Sequence, residues 1–177
     1  MNDKKIFFIG GIHGVGKGTI CKKISDTINI NSIAASSLLK WEEVPESADN
    51  NKKVKDIPDT QTRLLNGLNR LNGGNYLLDG HFCLLDSGEK IVEIPVEIFN
   101  SMNPINLALV VREPSLIAKR LYLRDGLEYN IDLISKMQKA EISNAKRISE
   151  KLNIPLSIIE NEDIKPYVEI LIRLIKN

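Results

Sequence analysis

Residues 11–19 read Gly11-Ile12-His13-Gly14-Val15-Gly16-Lys17-Gly18-Thr19 and indicate the architecture of this chain more strongly than any other stretch. A short apolar run, Ile6-Phe7-Phe8-Ile9, precedes them, and a helical pattern of Ile20, Ile24 and Ile28 follows. Strand, glycine-rich loop and helix in this order are the context that a phosphate-binding loop (P-loop) requires. The glycines let the chain curl, so that backbone N–H groups and the helix N-terminus point at one polyphosphate anion. The stretch therefore predicts binding of a nucleoside triphosphate.

The chemistry of this loop centres on Lys17, which is expected to reach the β- and γ-phosphates as a mobile point charge. The common form of the motif has Ser or Thr directly after the lysine, where the hydroxyl ligates Mg²⁺. Here Gly18 takes that position and Thr19 follows one residue later. The loop residues predicted to contact the nucleotide are Gly11, His13, Gly14, Val15, Gly16, Lys17, Gly18 and Thr19.

The composition is that of an ordinary globular protein. Of 177 residues, 42% are apolar and 27% are charged, and the formal net charge is +1. This length suits one domain, and the balanced charge argues against a general affinity for nucleic acid or for an anionic membrane. No apolar stretch reaches membrane-spanning length, and residues 1–5 lead into a strand rather than a signal peptide. We therefore expect a cytoplasmic protein.

The two cysteines predict neither a disulfide framework nor a metal site. Cys21 lies on the first predicted helix and Cys83 in a predicted loop, and their spacing matches no metal-binding motif. Two free thiols in a reducing compartment are expected, which agrees with a cytoplasmic location.

Apolar periodicity predicts an alternation of strands and helices. Strands are predicted at about Lys5–Gly10, Ile33–Ala35, Tyr76–Asp79, Ile105–Val111 and Pro155–Ile159. Helices are predicted at about Lys17–Ile28, Ser36–Glu43, Pro95–Met102, Pro114–Leu121, Ile131–Leu152 and Glu162–Ile175. A further helix is predicted to be capped by Asp59 or Thr60 and to stop at Gly73-Gly74. The polar stretch Val44–Asp59 contains two prolines and predicts an exposed connection. Five apolar strands separated by helices indicate a three-layer α/β fold, a five-stranded parallel sheet with helices on both faces.

Polar chemistry is expected to collect at one edge of this sheet. The ends of the predicted strands carry Gly10, Asp79, Arg112 and Asn161. Ligands of parallel sheets bind at the carboxyl ends of the strands, so Asp79 and Asn161 are expected to border the nucleotide. Residues 1–177 are predicted to form a single domain, with excursions from the core at about 36–72 and about 120–139.

Several stretches are similar to the nucleoside monophosphate kinases, above all to the small archaeal-type adenylate kinases. The loop resembles their GxxGxGKGT motif, and Leu77-Leu78-Asp79-Gly80 resembles the LLDG at the end of the neighbouring strand. Residues 33–40 resemble the ISTGDMLR stretch that begins their acceptor-binding region. Arg120 and Arg124 match the paired arginines where their lid begins. The likeness extends thinly over most of the chain, and only the P-loop is specific by itself.

This resemblance implies a P-loop kinase fold and transfer of the ATP γ-phosphate to a small acceptor, AMP or another nucleoside monophosphate. Lys17 and Mg²⁺ would neutralise the developing charge, and Mg²⁺ would be held largely through water near Thr19 and Asp79. Arg120 would stack on adenine and Arg124 would contact phosphates, tasks that suit a planar guanidinium. The excursion at 120–139 would be a short lid.

The resemblance also implies an acceptor site in the first excursion. The residues expected to hold the acceptor are Ser36, Ser37, Lys40, Arg63 and His81. Lys40 replaces an arginine of the bacterial pattern, and His81-Phe82-Cys83 replaces phenylalanine-proline-arginine, so two bidentate phosphate contacts are missing. The donor side therefore matches the family, whereas the acceptor side is altered.

Two other functions fit these residues. One is a kinase of another small metabolite, and the other is an ATP-binding or slowly hydrolysing switch that acts through a protein partner. A GTPase is not supported, because Asn51-Lys52-Lys53-Val54 lacks the aspartate of the NKxD guanine motif. A motor ATPase is disfavoured, because Asp79 is followed by Gly80 rather than by a glutamate that polarises water.

Overall fold

The computed structural model describes residues 4–39, 53–54 and 57–176. Its strands are β1 (Lys4–Gly10), β2 (Asn31–Ala34), β3 (Lys53–Val54), β4 (Gly74–Asp79), β5 (Cys83–Asp86), β6 (Ile91–Glu93), β7 (Pro104–Val111) and β8 (Leu156–Glu160). Its helices are α1 (Lys17–Ile28), α2 (Ala35–Leu39), α3 (Ile57–Asn69), α4 (Val96–Met102), α5 (Pro114–Asp125), α6 (Ile131–Leu152) and α7 (Lys165–Lys176). Lys40 and most of the connection predicted at Val44–Asp59 lie outside the described residues.

Five strands form one parallel sheet in the spatial order β2–β4–β1–β7–β8. The central strand β1 is buried from Ile6 to Gly10, because both faces of the sheet are covered. Its side chains alternate between the faces: Phe7 and Ile9 belong to one apolar cluster, and Ile6 and Phe8 to the other. The parallel sheet predicted from the apolar runs is confirmed.

Helices cover the sheet on both faces. Helices α1, α5 and α7 contribute to one apolar cluster, and α2, α3 and α4 contribute to the other. Helix α6 contributes to both, with Met137 near its start in the first cluster and Ile148 near its end in the second. The three-layer α/β architecture is therefore confirmed. Among the described helices, none is both long and apolar enough to cross a membrane.

A second, small sheet joins β3, β5 and β6 and was not predicted from the sequence. Strands β5 and β6 pair antiparallel, and β3 pairs parallel with β5. Cys83 is the first residue of β5, so its predicted position in a loop is wrong. A strand of three or four residues is too short for alternation to stand out from a loop. Both cysteines are free, and burial raises the pKa of each thiol to about 12.

Two helices have the bounds that the sequence pattern predicts, and a third is longer. Helices α1 and α6 have the predicted bounds, and the side chain of Asn130 caps α6. Helix α5 continues to Asp125, beyond the predicted end at Leu121, because the residue that terminates it is Gly126 with φ of 70°. The segment 120–139 is consequently helical except at 126–130.

Candidate active site

The P-loop runs from the end of β1 to the start of α1 and surrounds the Lys17 side chain. The Nζ atom of Lys17 donates to the carbonyl oxygens of Gly11 at 2.7 Å and Ile12 at 3.3 Å. Only 8% of this side chain is exposed. The ammonium group is therefore held in the concavity of the loop by the loop's own backbone.

Two glycines of the loop adopt conformations that exclude a side chain. Gly14 has φ of +82°, and a Cβ atom there would lie 2.6 Å from the Leu121 side chain. Gly16 has φ of +106°, and a Cβ atom there would lie 3.1 Å from the guanidinium of Arg120. These left-handed values favour glycine. The motif glycines thus permit both the curvature of the loop and the close approach of α5.

The loop also brings the N-terminus of α1 to this place. The first backbone bond of the helix runs from the N–H of Ile20 to the carbonyl of Gly16, and no described side chain caps it. Helix geometry leaves the N–H groups of Gly18 and Thr19, both exposed residues, without an intrahelical acceptor. Such an N-terminus binds anions through its donors and its positive dipole end.

Asp79 ends β4, the strand beside β1, and faces the lysine. Its Oδ1 atom lies 3.8 Å from Lys17 Nζ, and 19% of its side chain is exposed. The next residue, Gly80, donates its N–H to the carbonyl of Ile9 at 2.9 Å, which joins the two strand ends. The parallel register therefore places a carboxylate beside the P-loop.

Glu162 gathers three cations beside the loop and was not predicted from the sequence. Its carboxylate accepts hydrogen bonds from Lys23 and Arg120, each at 3.0 Å, and pairs with Arg112. Hydrogen bonds from these cations, with Lys23 first, lower the pKa of Glu162 to about 2. The guanidinium of Arg120 is thereby held against Gly16.

The turn after β8 explains why Glu162 rather than Asn161 reaches this network. Asn161 and Glu162 have left-handed φ values of 51° and 60°, and the N–H of Asp163 closes the turn on the carbonyl of Glu160 at 2.9 Å. Helix α7 consequently begins at Lys165 rather than at the predicted Glu162. Asn161 is exposed, and the structure does not place it among the residues that line the cavity described below.

Arg124, the second of the paired arginines, connects the end of α5 to the loop. One of its guanidinium nitrogens lies 2.8 Å from Nε2 of His13, and its guanidinium also binds the carboxylate of Asp125. Tyr129 donates its hydroxyl to Asp125 at 2.5 Å. The hydrogen bond from Arg124, and after it the one from Tyr129, lowers the pKa of Asp125 well below its usual range. The segment predicted to be a lid is therefore linked to the P-loop through an arginine.

These groups open on a cavity of about 620 Å³. The lining residues of the P-loop, of α5 and of the segment at the end of β4 form what we call the polar end: His13, Gly14, Gly16, Lys17, Gly18, Thr19, Asp79, His81, Arg120 and Arg124. The lining residues of α2, α3, β5 and α4 form what we call the apolar recess: Leu39, Leu64, Leu84, Ile98, Phe99 and Met102, with Ser36, Thr60 and Gln61 as polar members. Among the described residues, no lysine or arginine lines the apolar recess.

The cavity brings together only part of the predicted acceptor set. Ser36 and His81 line it. Ser37 is exposed and does not line it. Arg63 pairs with Asp59 at 2.7 Å, one turn away on α3, and is also absent from the lining. The guanidinium expected to hold an acceptor phosphate is thus engaged by its own helix.

A buried carboxylate that no motif marks lies behind His81. Glu141 of α6 has no exposed surface. It accepts the backbone N–H groups of Phe82 at 2.9 Å and Cys83 at 3.3 Å, and it lies 3.5 Å from Nδ1 of His81. The pKa of His81 is lowered, mainly by burial and next by the nearby ammonium group of Lys17.

The loop fits a triphosphate with Mg²⁺. A Cβ atom at Gly18 would meet nothing within 4 Å, so the space before the N-terminus of α1 is open. The hydroxyl of Thr19 and the carboxylate of Asp79 are hard oxygen donors, the type Mg²⁺ prefers, and Mg²⁺ usually keeps several waters. Within the described ranges, no group of three or more His, Cys, Asp or Glu could hold a metal ion.

Sequence comparison assigns the family. Residues 10–138 match the AAA domain, from the last residue of β1 into α6. The chain belongs to the AAA domain family. The matched part of this AAA domain contains the P-loop, Asp79 and both paired arginines. No curated protein is matched by the chain.

Two solved structures resemble this AAA domain over their whole lengths. One is a gluconokinase from Sinorhizobium meliloti 1021, with a TM-score of 0.58, 12% identity, and coverage of 100% of this chain and 97% of that one. The other is an uncharacterized protein from Eubacterium ventriosum ATCC 27560, with a TM-score of 0.52, 17% identity, and coverage of 97% and 98%. At these identities the likeness establishes a shared P-loop kinase fold.

Proposed function

We propose that the chain is an ATP-dependent phosphotransferase that moves the γ-phosphate of ATP to a small acceptor. The observation that carries the proposal is that one cavity is lined both by Lys17 and the first residues of α1 and by the apolar recess. Donor and acceptor would meet within this cavity, away from bulk water. A volume of about 620 Å³ suits small-molecule ligands. Because both cysteines are free thiols, we place the enzyme in the cytoplasm.

Each polar side chain at the polar end has a role that its position allows. Lys17 would neutralise charge on the β- and γ-phosphates, and Arg120 and Arg124 would contact the nucleotide from the α5 side of the loop. When bound, Mg²⁺ would neutralise the developing charge on the phosphate oxygens, and Thr19 and Asp79 would hold its waters. Catalysis would then consist mainly of positioning and electrostatic stabilisation.

A nucleoside monophosphate is the acceptor that the sequence resemblance implies. The apolar recess supports it, because the partly exposed Leu39, Leu64 and Leu84 offer apolar surface to a base. Gln61 supports it as well, since its Nε2 atom is buried without a partner among the described residues. A base carbonyl or ring nitrogen would supply the missing acceptor.

A hydroxyl-bearing metabolite is a second acceptor, and the cations favour it. Among the described residues, the lysine and arginines that line the cavity are Lys17, Arg120 and Arg124, which ATP also needs, whereas Arg63 pairs with Asp59 outside it. A hydroxyl needs no such charge-assisted contact. One protein of the same fold is a gluconokinase, which makes gluconate a suitable probe.

ADP production by the purified protein tests the proposal. Mg-ATP is supplied alone, with each of AMP, CMP, GMP and UMP, or with gluconate. We expect one acceptor to stimulate ADP formation well above the acceptor-free rate, and we expect Lys17→Ala to abolish the stimulation. Slow ADP formation that no acceptor stimulates would contradict the proposal and favour a switch that acts through a protein partner.

A further inference from the structure

The carboxylate of Glu141 is buried among specific donors. Its residue is 0% exposed. Oε2 accepts the N–H of Phe82 at 2.9 Å, and Oε1 accepts the N–H of Cys83 at 3.3 Å. Oε1 also lies 3.5 Å from Nδ1 of His81. A buried carboxylate is costly unless donors satisfy it, and here two amides and an imidazole nitrogen converge on it.

The segment that carries His81 is fixed by the same helix. Asn144, less than one turn further along α6, donates to the carbonyls of Phe82 at 2.7 Å and Ile94 at 3.0 Å. Its Oδ1 atom accepts two hydrogen bonds from Arg147. The chain after β4 is therefore held against α6 through both its N–H and its carbonyl groups, which fixes the backbone beside His81.

His81 faces the reacting end of the cavity. It lines the cavity, and 25% of its side chain is exposed. The charged groups that act on it are Lys17, Asp79 and Glu141. Burial and the Lys17 ammonium keep the pKa of His81 below its usual value, so the ring is neutral near pH 7. A neutral imidazole has one N–H and one nitrogen lone pair.

We propose that Glu141 is a positioning residue that holds His81 with its proton on Nδ1, and that Nε2 of His81 takes the proton of an acceptor hydroxyl. Both oxygens of Glu141 already accept backbone N–H groups, so the carboxylate faces Nδ1 as a hydrogen-bond acceptor. The orientation of the histidine then leaves the Nε2 lone pair for the cavity. This is the arrangement of a carboxylate-oriented general base.

The inference rests on the proposed kinase activity and specifies the chemical class of its acceptor. The phosphate of a nucleoside monophosphate, with a second pKa of about 6, presents a deprotonated oxygen at neutral pH and needs no base. A hydroxyl group does need one. A base held in this way therefore indicates that the acceptor is a hydroxyl-bearing small molecule.

The proposed step transfers the γ-phosphoryl group of ATP to the acceptor hydroxyl. The hydroxyl oxygen of the acceptor forms a bond to the γ-phosphorus while its proton passes to Nε2 of His81. The bond between the γ-phosphorus and the β,γ-bridging oxygen breaks, and its electron pair leaves on ADP. The resulting imidazolium is stabilised by the Glu141 carboxylate and loses its proton to solvent after the products depart.

Nitrogen NMR of the protein tests the positioning without any substrate. The chain has two histidines, so a His13→Asn variant assigns both imidazole signals. We expect His81 to carry its proton on Nδ1 in the wild type and to lose that preference in Glu141→Gln. Ser143→Ala, at an exposed position of the same helix, is the control and should keep it. A wild-type His81 protonated on Nε2 would overturn the inference.

Kinetics with the acceptor panel tests the proton transfer. His81→Gln keeps a donor for Glu141 but has no basic nitrogen, so it should lower kcat for a hydroxyl acceptor such as gluconate by about 10²–10⁴-fold, with KM nearly unchanged. Transfer to a monophosphate oxygen, or full activity of His81→Gln, would overturn the inference and leave the kinase proposal standing. If no acceptor stimulated ADP formation, the kinase proposal would be overturned, and the proposed proton transfer with it. The NMR result would still report on the positioning of His81 by Glu141.

Discussion

Replacing Lys17 by alanine removes the one charge that the P-loop encloses. The Lys17 side chain is only 8% exposed. Its Nζ atom lies 2.7 Å from the carbonyl oxygen of Gly11, 3.3 Å from that of Ile12 and 3.8 Å from Oδ1 of Asp79. Solvent screens such a charge weakly, so its loss should be felt fully in the transition state. Removing one preorganised group of this kind typically costs about 10²–10³-fold in rate, or roughly 3–4 kcal/mol.

The same change should affect stability much less. Lys17→Ala deletes hydrogen bonds to two carbonyls, each with a net value of about 1 kcal/mol, but it also removes a desolvated ammonium from the loop. The two effects oppose each other, so we expect the free energy of unfolding to change by about 1 kcal/mol or less. Asp79 keeps partial exposure to solvent, which limits the cost of losing its partner.

The assay compares kcat and the urea midpoint of wild type, Lys17→Ala and a matched control. The control is Lys22→Ala on the same helix, where 77% of the lysine side chain is exposed and pairs with Asp26. We expect the control to keep wild-type turnover. Retention of more than about a tenth of wild-type turnover by Lys17→Ala would refute the role assigned to the loop.

Three further predictions concern the flanks of the site. Glu162→Gln should lower stability by about 1–2 kcal/mol at pH 7, allowing for partial solvent screening. Because the pKa of Glu162 falls from 4.5 to about 2 on folding, the stability that Glu162 contributes is present above pH 4.5 and is lost as the pH falls towards 2. If the difference in unfolding free energy between wild type and Glu162→Gln stayed constant in urea titrations across that range, the prediction would be contradicted. Arg63→Ala should leave KM for ATP and for the acceptor nearly unchanged, because Arg63 pairs with Asp59 outside the cavity; a large rise in acceptor KM would show that Arg63 turns inward on binding. Hydrogen exchange at 120–139 should slow when Mg-ATP is added, since Arg124 links that segment to the P-loop; protection confined to the P-loop would argue against a closing lid.

Local signals made much of the fold predictable. The P-loop could be predicted from its own residues and from the apolar strand and helix beside it, and the bounds of α6 followed from the periodicity of that segment. The antiparallel pair β5–β6 was not predicted, because its strands are too short to show an alternation of apolar and polar residues. The Arg63 pairing was readable in principle, because Asp59 and Arg63 stand four apart on one helix.

Long-range partners could not be predicted from the sequence. Glu162 meets Lys23, which is 139 positions away, and Glu141 meets Phe82, which is 59 positions away. No local spacing marks such pairs. One signal existed for Glu141: it lies four residues from both Met137 and Ala145, on the apolar face of α6, where a carboxylate requires a partner.

The fate of the γ-phosphate distinguishes transfer to an acceptor from simple hydrolysis of ATP. Wild-type protein is incubated with γ-³²P-labelled ATP, Mg²⁺ and the acceptor that most stimulates ADP formation, and the labelled products are separated. We predict that the label lies on the acceptor, with little in inorganic phosphate, and that Lys17→Ala yields neither product. Label found only in inorganic phosphate, whatever the acceptor, would contradict this prediction.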